Sequence, residues 1–342
     1  MREAILTPED EQFLALLEAR RDRHFSTAPL LSGFRVLALL SYEDLAGQST
    51  ADKFVVGANA ECANIGGATC AERAALAQLQ LLPVRRVRTI YLVSDSPQCL
   101  TPGTLCREFL LSSPLMSRDT PFVSRAANCR PCVTTLAELY PFPSLYDRVP
   151  RAQVLLFARE FCSRFAANLA VAKFATSKLP EEEGGGDAQL SPFVTLQLAR
   201  MTNDERVVYL QALAATARDA RDELFPLRYA AGTRFADGHV RVTWQHKTLE
   251  FGSSLDAVSK LIPFVEAEEE RNAPQFLVHV DQFGILHAPF ARARAYFFEF
   301  GFLDVPVLVH DAAGALHRVP IGSLVAESPD CIAASTAMAM AL

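Results

Sequence analysis

The chain echoes itself in order, and this constrains its fold more than any other feature. "LTPEDEQFLALL" (6–17) returns as "MTNDERVVYLQAL" (201–213), each with a threonine cap and an acid three residues on. "TCAERAALAQL" (69–79) has its counterpart at "FGSSLDAVSKL" (251–261). "IYLVSDSPQCLTPGTLCREFL" (90–110) has its counterpart at "FLVHVDQFGILHAPFARARAYFFEFG" (276–301), aligning Asp95 with Asp281, Pro102 with Pro289 and Arg107 with Arg294. Each echo is weak alone, but the shared order implies a duplicated domain. The second copy has no Cys or Glu in place of Cys70, Glu72 and Cys106, so chemistry resting on those residues belongs to the first copy.

A length of 342 residues agrees with two domains. The expected boundaries are 1–150 for the first copy, 151–190 for a connecting helix and linker, and 191–342 for the second copy. Residues 151–178 read as one long amphipathic helix. "LPEEEGGGD" (179–187) combines acids and glycines and reads as a solvated linker. Within the first copy, Thr7-Pro8-Glu9-Asp10 opens a helix, with a cap, a first-turn proline and acids at the positive helix end. "FRVLALLSY" (34–42) and "DKFVVGANA" (52–60) read as strands, 70–82 as an Ala- and Leu-rich helix, and 88–95 as a buried strand. "CREFLLS" (106–112) starts a further helix, and "PFVSRAA" and "VTTLAELY" read as two strands, or a strand and a short helix. This order is a three-layer α/β pattern, present twice and degenerate in the second copy.

The net charge is −6 and half of the residues are hydrophobic. A polynucleotide binder needs a basic stripe, because phosphate neutralisation supplies much of its affinity. The acidic balance favours a small-molecule ligand, with no nucleic-acid partner expected. No apolar run reaches the ~18–20 residues that span a bilayer, so no membrane partner is expected. "MREAILTPEDEQF" lacks the apolar stretch of an export signal, and a cytoplasmic protein is the expectation. The eight cysteines are then expected as thiols, metal ligands or core residues rather than disulfides.

Two of those cysteines carry the chemistry. Cys70 and Cys106 each stand where a helix begins, and a helix N-terminus favours a thiolate, which is a good zinc ligand. Two facing helix starts can place both sulfurs on one metal. Glu72, two residues after Cys70, can sit beside a metal site and move protons there. Taken singly, either cysteine reads rather as a small buried hydrophobe.

"GANAECANIGGATCAERAAL" (57–76), followed by "SDSPQCLTPGTLCRE" (94–108), resembles the cytidine deaminase family. The family's nucleoside branch carries G-x-N-x-E-N before C-A-E-R, and Glu61 precedes Cys70 by the matching nine residues. The resemblance covers residues 5–145, and its two-domain dimeric form extends it over most of the chain. It implies hydrolytic deamination of cytidine and deoxycytidine in pyrimidine salvage, one zinc per chain, and a homodimer. By the same resemblance Asn59 and Glu61 bind the ribose 3′-hydroxyl, which disfavours a free base. Phe54 packs on the pyrimidine, although its strand position equally suits a core residue. Cys70 and Cys106 ligate zinc, the Ala71 backbone faces the base, and the Thr101 carbonyl accepts from the 4-amino group. Glu72 is the proton shuttle, and Arg73 neutralises thiolate charge from outside the ligand shell.

The chain departs from the family at two points. Cys62 replaces the Asn of G-x-N-x-E-N, and Gly103 falls where the first cysteine of P-C-x-x-C belongs. Three outcomes follow. Cys99, four residues upstream, can fold back as the missing ligand, since four extended residues reach ~13 Å. Zinc can be held by Cys70 and Cys106 with an oxygen donor. Or the metal is lost, leaving a catalytically inactive nucleoside-binding or structural paralogue. An editing deaminase acting on polynucleotide is disfavoured by the charge and by the ribose-reading pair. Cys129 and Cys132 form a true C-x2-C, but no second Cys or His pair lies near them in sequence, so turn or core thiols are expected. His287 has no companions in sequence and reads as a core or interface histidine.

Overall fold

The computed structural model describes residues 2–3, 6–25, 29, 31–48, 52–62, 65–126, 130–166, 190–268 and 270–326. Helix α1 (Pro8–His24) begins on a closed capping box. The Thr7 hydroxyl accepts from the Asp10 amide at 3.2 Å, and the Asp10 carboxylate accepts from the Thr7 amide at 2.9 Å. Replacing Thr7 by Ala is expected to cost about 1 kcal/mol, read as a lower urea midpoint with an unchanged slope.

The first sheet contains β1 (Arg2–Glu3), β2 (Val36–Asp44), β3 (Phe54–Ala58), β4 (Val84–Ser94), β5 (Pro121–Arg125) and β6 (Cys132–Thr135). Its order is β1-β6-β5-β4-β2-β3, with β4 and β5 parallel and every other pair antiparallel. On one face Phe13, Leu14 and Leu17 of α1 pack against Leu37, Leu39, Tyr91, Val93 and Val123. The opposite face carries α2 (Ala71–Leu79), and Gly57 of β3 allows the close approach. A Cβ at Gly57 would stand 2.2 Å from the Ala71 carbonyl oxygen and 2.4 Å from the Ala75 nitrogen. Helices α3 (Thr104–Ser112) and α4 (Leu136–Leu139) complete this copy, so "VTTLAELY" is a strand followed by a short helix.

A 3-10 turn at Arg151–Gln153 runs into α5 (Val154–Ala166). The rest of the expected connecting helix and the Glu/Gly linker lie outside the described residues. Beyond them come α6 (Pro192–Ala199) and α7 (Asn203–Ala215), the latter with a Thr202–Glu205 capping box matching that of α1. The second sheet contains β7 (Tyr229–Phe235), β8 (Val240–Trp244), β9 (Pro274–Asp281), β10 (Pro306–His310) and β11 (Leu316–Pro320). Its order, β11-β10-β9-β7-β8, repeats the β6-β5-β4-β2-β3 part of the first sheet, including one parallel pair, β9 with β10; among the described residues β1 has no counterpart. The fold is α/β with a duplicated sheet topology. The α7 face is closed by Val208, Tyr209 and Ala212 on Ala230, Val278 and Val280.

Two details of the expected repeat change. Residues 251–261 do not form a counterpart of α2. They make 3-10 turns at Phe251–Ser253 and Ser259–Leu261 before α8 (Ile262–Glu266). The Asp256 carboxylate captures the Ser259 amide at 2.8 Å and its hydroxyl at 2.5 Å, which starts a fresh turn in place of a continuing helix. Asp281 is also the counterpart of Ser94 rather than of Asp95. The ladders begin with the equivalent pairs Val36–Ser94 and Tyr229–Asp281, and Ser94 to Arg107 spans as many residues as Asp281 to Arg294. Asp281 is wholly buried and accepts from Tyr146 and from the Phe283 and Ile285 amides, with His287 Nε2 3.0 Å away, so His287 is a satisfied core histidine.

Helices α9 (Ala291–Glu299) and α10 (Ile321–Leu324) complete the chain as described. By packing, the chain divides into two units. One comprises Met1–Pro143, Arg294–Gly301 and Gly322–Leu342, and the other Ser144–Ala293 and Phe302–Ile321. Among the described residues no helix is long and apolar enough to cross a membrane.

Candidate metal centre

Cys70 is the N-cap of α2, with extended backbone (φ −73°, ψ 156°), and Cys106 lies in the first turn of α3. The two helix starts bring Cys70 Sγ, Cys106 Sγ and a Glu72 carboxylate oxygen within 4.8 Å of one another. Cys106 and Glu72 are buried, and Cys70 is partly exposed. Among the described residues this is the only group of three or more His, Cys, Asp or Glu side chains so arranged. Two soft sulfurs this near each other can share a tetrahedral zinc ion, with the Glu72 carboxylate beside it.

The electrostatics follow from burial and from the pairing of the two sulfurs. Hydrogen bonding from Cys106, helped by Arg73 and opposed by burial, brings Cys70 down to about 6. The same hydrogen bond and burial hold the Cys106 thiol far above its ordinary range. The pair therefore stands as one thiolate and one thiol. Burial, with the Cys70 charge, pushes Glu72 up to about 7. A carboxyl there carries its proton about half the time near neutrality, which suits proton transfer in both directions. Arg73 Nη2 donates to the Ala68 carbonyl at 2.6 Å and lies 3.9 Å from Cys70 Sγ, beside the charge it offsets.

Arg107 is wholly buried and pushed down to about 10 by burial. It donates to the Pro102 carbonyl (2.8 Å), the Thr101 hydroxyl (2.7 Å) and the carbonyls of Leu139 (2.7 Å) and Ala326 (2.5 Å). The segment leading into α3 is thus pinned from within. Sequence reasoning gave Arg107 no such role, because most of its acceptors are backbone carbonyls that carry no residue-type signal.

Gly103 is the N-cap of α3, in a conformation open to any L-residue (φ −56°, ψ 153°), and a Cβ built there meets nothing within 4 Å. The vacancy left by the missing cysteine is chemical and not steric. Gly103→Cys is expected to hold zinc more tightly than the wild type in competition with a chelator. Unchanged affinity would show that residue 103 does not face the metal.

The remaining candidates are distributed as follows. Ala71 is buried in the first turn of α2, and Thr101 is buried beside Arg107. The Cys99 sulfur is not in the Cys70–Glu72–Cys106 group; it lies 3.3 Å from each of the Ser124 and Arg130 carbonyl oxygens. Phe54 stands edge-on to Phe13 at 5.7 Å with the Arg20 guanidinium over its ring, on the α1 face of the sheet. Asn59 accepts from the Val36 amide at 2.9 Å and donates to the Phe34 carbonyl at 2.8 Å. The Glu61 carboxylate accepts from the Leu31 amide (2.8 Å), the Ser32 amide (3.0 Å) and the Ser32 hydroxyl. Both polar side chains therefore hold segment 31–36.

No protein-family model and no curated protein matches the sequence. Among solved structures, the chain is similar to cytidine deaminase from Burkholderia pseudomallei, with 23% identity over 40% of this chain and 99% of that one, at a TM-score of 0.34. It is also similar to cytidine deaminase from Mycobacterium leprae, with 18% identity over 34% of this chain and 94% of that one, at a TM-score of 0.29. For cytidine deaminase from Bacillus anthracis the identity is 14% over 36% of this chain and 86% of that one, at a TM-score of 0.27.

Proposed function

We propose that this protein is a zinc-dependent hydrolase that deaminates cytidine and deoxycytidine to uridine and deoxyuridine, in pyrimidine salvage. The observation that carries this reading is the meeting of Cys70, Cys106 and Glu72 at two helix starts. One zinc would be held by Cys70 and Cys106, and when bound it supplies Lewis acidity that makes water acidic enough to react near neutral pH. Glu72 would take a proton from the attacking water and deliver it to N3 of the pyrimidine, then take the second proton from the new C4 hydroxyl and pass it to the departing amino group; C4–N breaks, ammonia leaves and one water is consumed. Arg73 offsets thiolate charge, the Ala71 backbone faces the base, and the Thr101 carbonyl accepts from the 4-amino group. Asn59 and Glu61 take the ribose hydroxyl, with Ser32 released from Glu61. The working form is a homodimer in the cytoplasm, acting on free nucleosides and not on polynucleotide.

A second reading, an inactive nucleoside-binding or structural paralogue, is favoured by Gly103 in place of a ligand and by the engagement of Glu61 with Ser32. Loss of cytidine absorbance, measured together with zinc content, separates the two. Turnover in the wild type that disappears along with zinc in Cys106→Ser supports the enzyme. A wild type that holds no zinc at Cys70 and Cys106 and turns over no cytidine sinks it.

A further inference from the structure

The sequence left the C-x2-C of Cys129 and Cys132 without a second pair, and the structure brings Cys99 and Cys132 to one carbonyl oxygen. Cys132 Sγ lies 3.6 Å from the Arg130 carbonyl oxygen, and Cys99 Sγ lies 3.3 Å from that same oxygen. We propose that Cys99, Cys132 and the Arg130 carbonyl form a second, structural site for a thiophilic divalent cation of the zinc and cadmium class. In a tetrahedral shell, metal–sulfur bonds of about 2.3 Å and metal–oxygen bonds of about 2.0–2.2 Å give sulfur–oxygen edges of about 3.5 Å. The two separations lie on either side of that edge, so each sulfur stands at the distance from the shared oxygen that a common cation needs.

The elements explain why these atoms meet. Cys132 opens β6 and is the register partner of Ser124 in β5, whose carbonyl also touches Cys99. Cys99 belongs to the segment between β4 and α3 and is 8% exposed, whereas Cys132 is half-buried and leaves a path for the ion. Binding replaces two S–H bonds by two metal–sulfur bonds and releases two protons to solvent, so the dithiolate neutralises the divalent charge. The cation would clip the segment that leads to Gly103 and Cys106 onto the β5–β6 pair. The site shares no ligand with the Cys70–Cys106 centre and stands whether or not the protein is a deaminase. Cys129 lies outside the described residues.

Cadmium is the probe, because its thiolate complexes absorb in the ultraviolet. The full chain, reduced and stripped of metal, is titrated with cadmium while absorbance and bound metal are measured. Cys132→Ser and Cys99→Ser are each expected to bind one cadmium fewer than the wild type, with a matching loss of thiolate absorbance. Cys70→Ser is expected to keep the equivalent that those two variants lose. Wild-type stoichiometry and absorbance in Cys132→Ser would overturn the proposal, as would loss of the same equivalent in Cys70→Ser. Cys132 is half-buried and serine is close to it in size, so Cys132→Ser decides the question even if Cys99→Ser does not fold.

Discussion

Glu72→Gln is expected to lower cytidine turnover by about 10²–10⁴-fold while zinc stays bound. The side chain is 3% exposed, so glutamine occupies the same volume but cannot cycle a proton near neutral pH. Its place two residues after the Cys70 cap turns it toward both sulfurs, within 4.8 Å. Zinc content is the second readout. If Glu72 is itself a ligand, the substitution lowers zinc content as well as turnover, and the shuttle role fails. Retained zinc with lost turnover is the expected pattern. Turnover within a few-fold of the wild type would remove Glu72 from the chemistry.

Gly57→Ala is expected to destabilise the protein by about 3 kcal/mol and to disable the metal centre with it. The added methyl would meet the Ala71 carbonyl oxygen at 2.2 Å, the Ala75 nitrogen at 2.4 Å and the Ala74 carbonyl carbon at 3.0 Å. All three are backbone atoms of α2 or its turns, so no side-chain rotation relieves the contact. The helix has to lift from β3, and the turn that lifts carries Cys70 and Glu72. The measurement is a denaturant midpoint together with zinc retention. An unchanged midpoint would mean that the helix lies farther from the strand than described. Val56→Ala on the same strand points to the other face and is expected to spare the metal.

Much of the fold is readable from residue order, because its determinants are local. Thr7 and Thr202 cap their helices with side chains three residues away, and β2 alternates apolar residues onto two helix-covered faces. The failure at 251–261 is also local, since Asp256 competes for Ser259 in a way that helix propensity does not record. The site is less readable where it depends on distant partners. Cys70 and Cys106 announce themselves by their helix starts. Cys99 does not, because its neighbours come from β5 and from the turn before β6, and a reach of four residues could not show which way it turns. Asn59 and Glu61 carry a motif, but their engagement with segment 31–36 depends on backbone partners 23–30 positions away in the chain.

Arg294 has a consequence for synthesis. It comes from the second copy, yet within the first unit it stacks 4.0 Å over Tyr140 and donates to the carbonyls of Pro141 and Phe142, while Arg107 reaches forward to the carbonyl of Ala326. A ribosome that has made the first 150 residues has made every strand of the first sheet but not the arginine that holds residues 140–142, nor the acceptor that Arg107 awaits. The half that carries Cys70 and Cys106 is thus made before the residues that complete it. Its closure waits on residues 294 and 326, and a chain cut short before them would leave Cys70 and Cys106 on an incomplete scaffold.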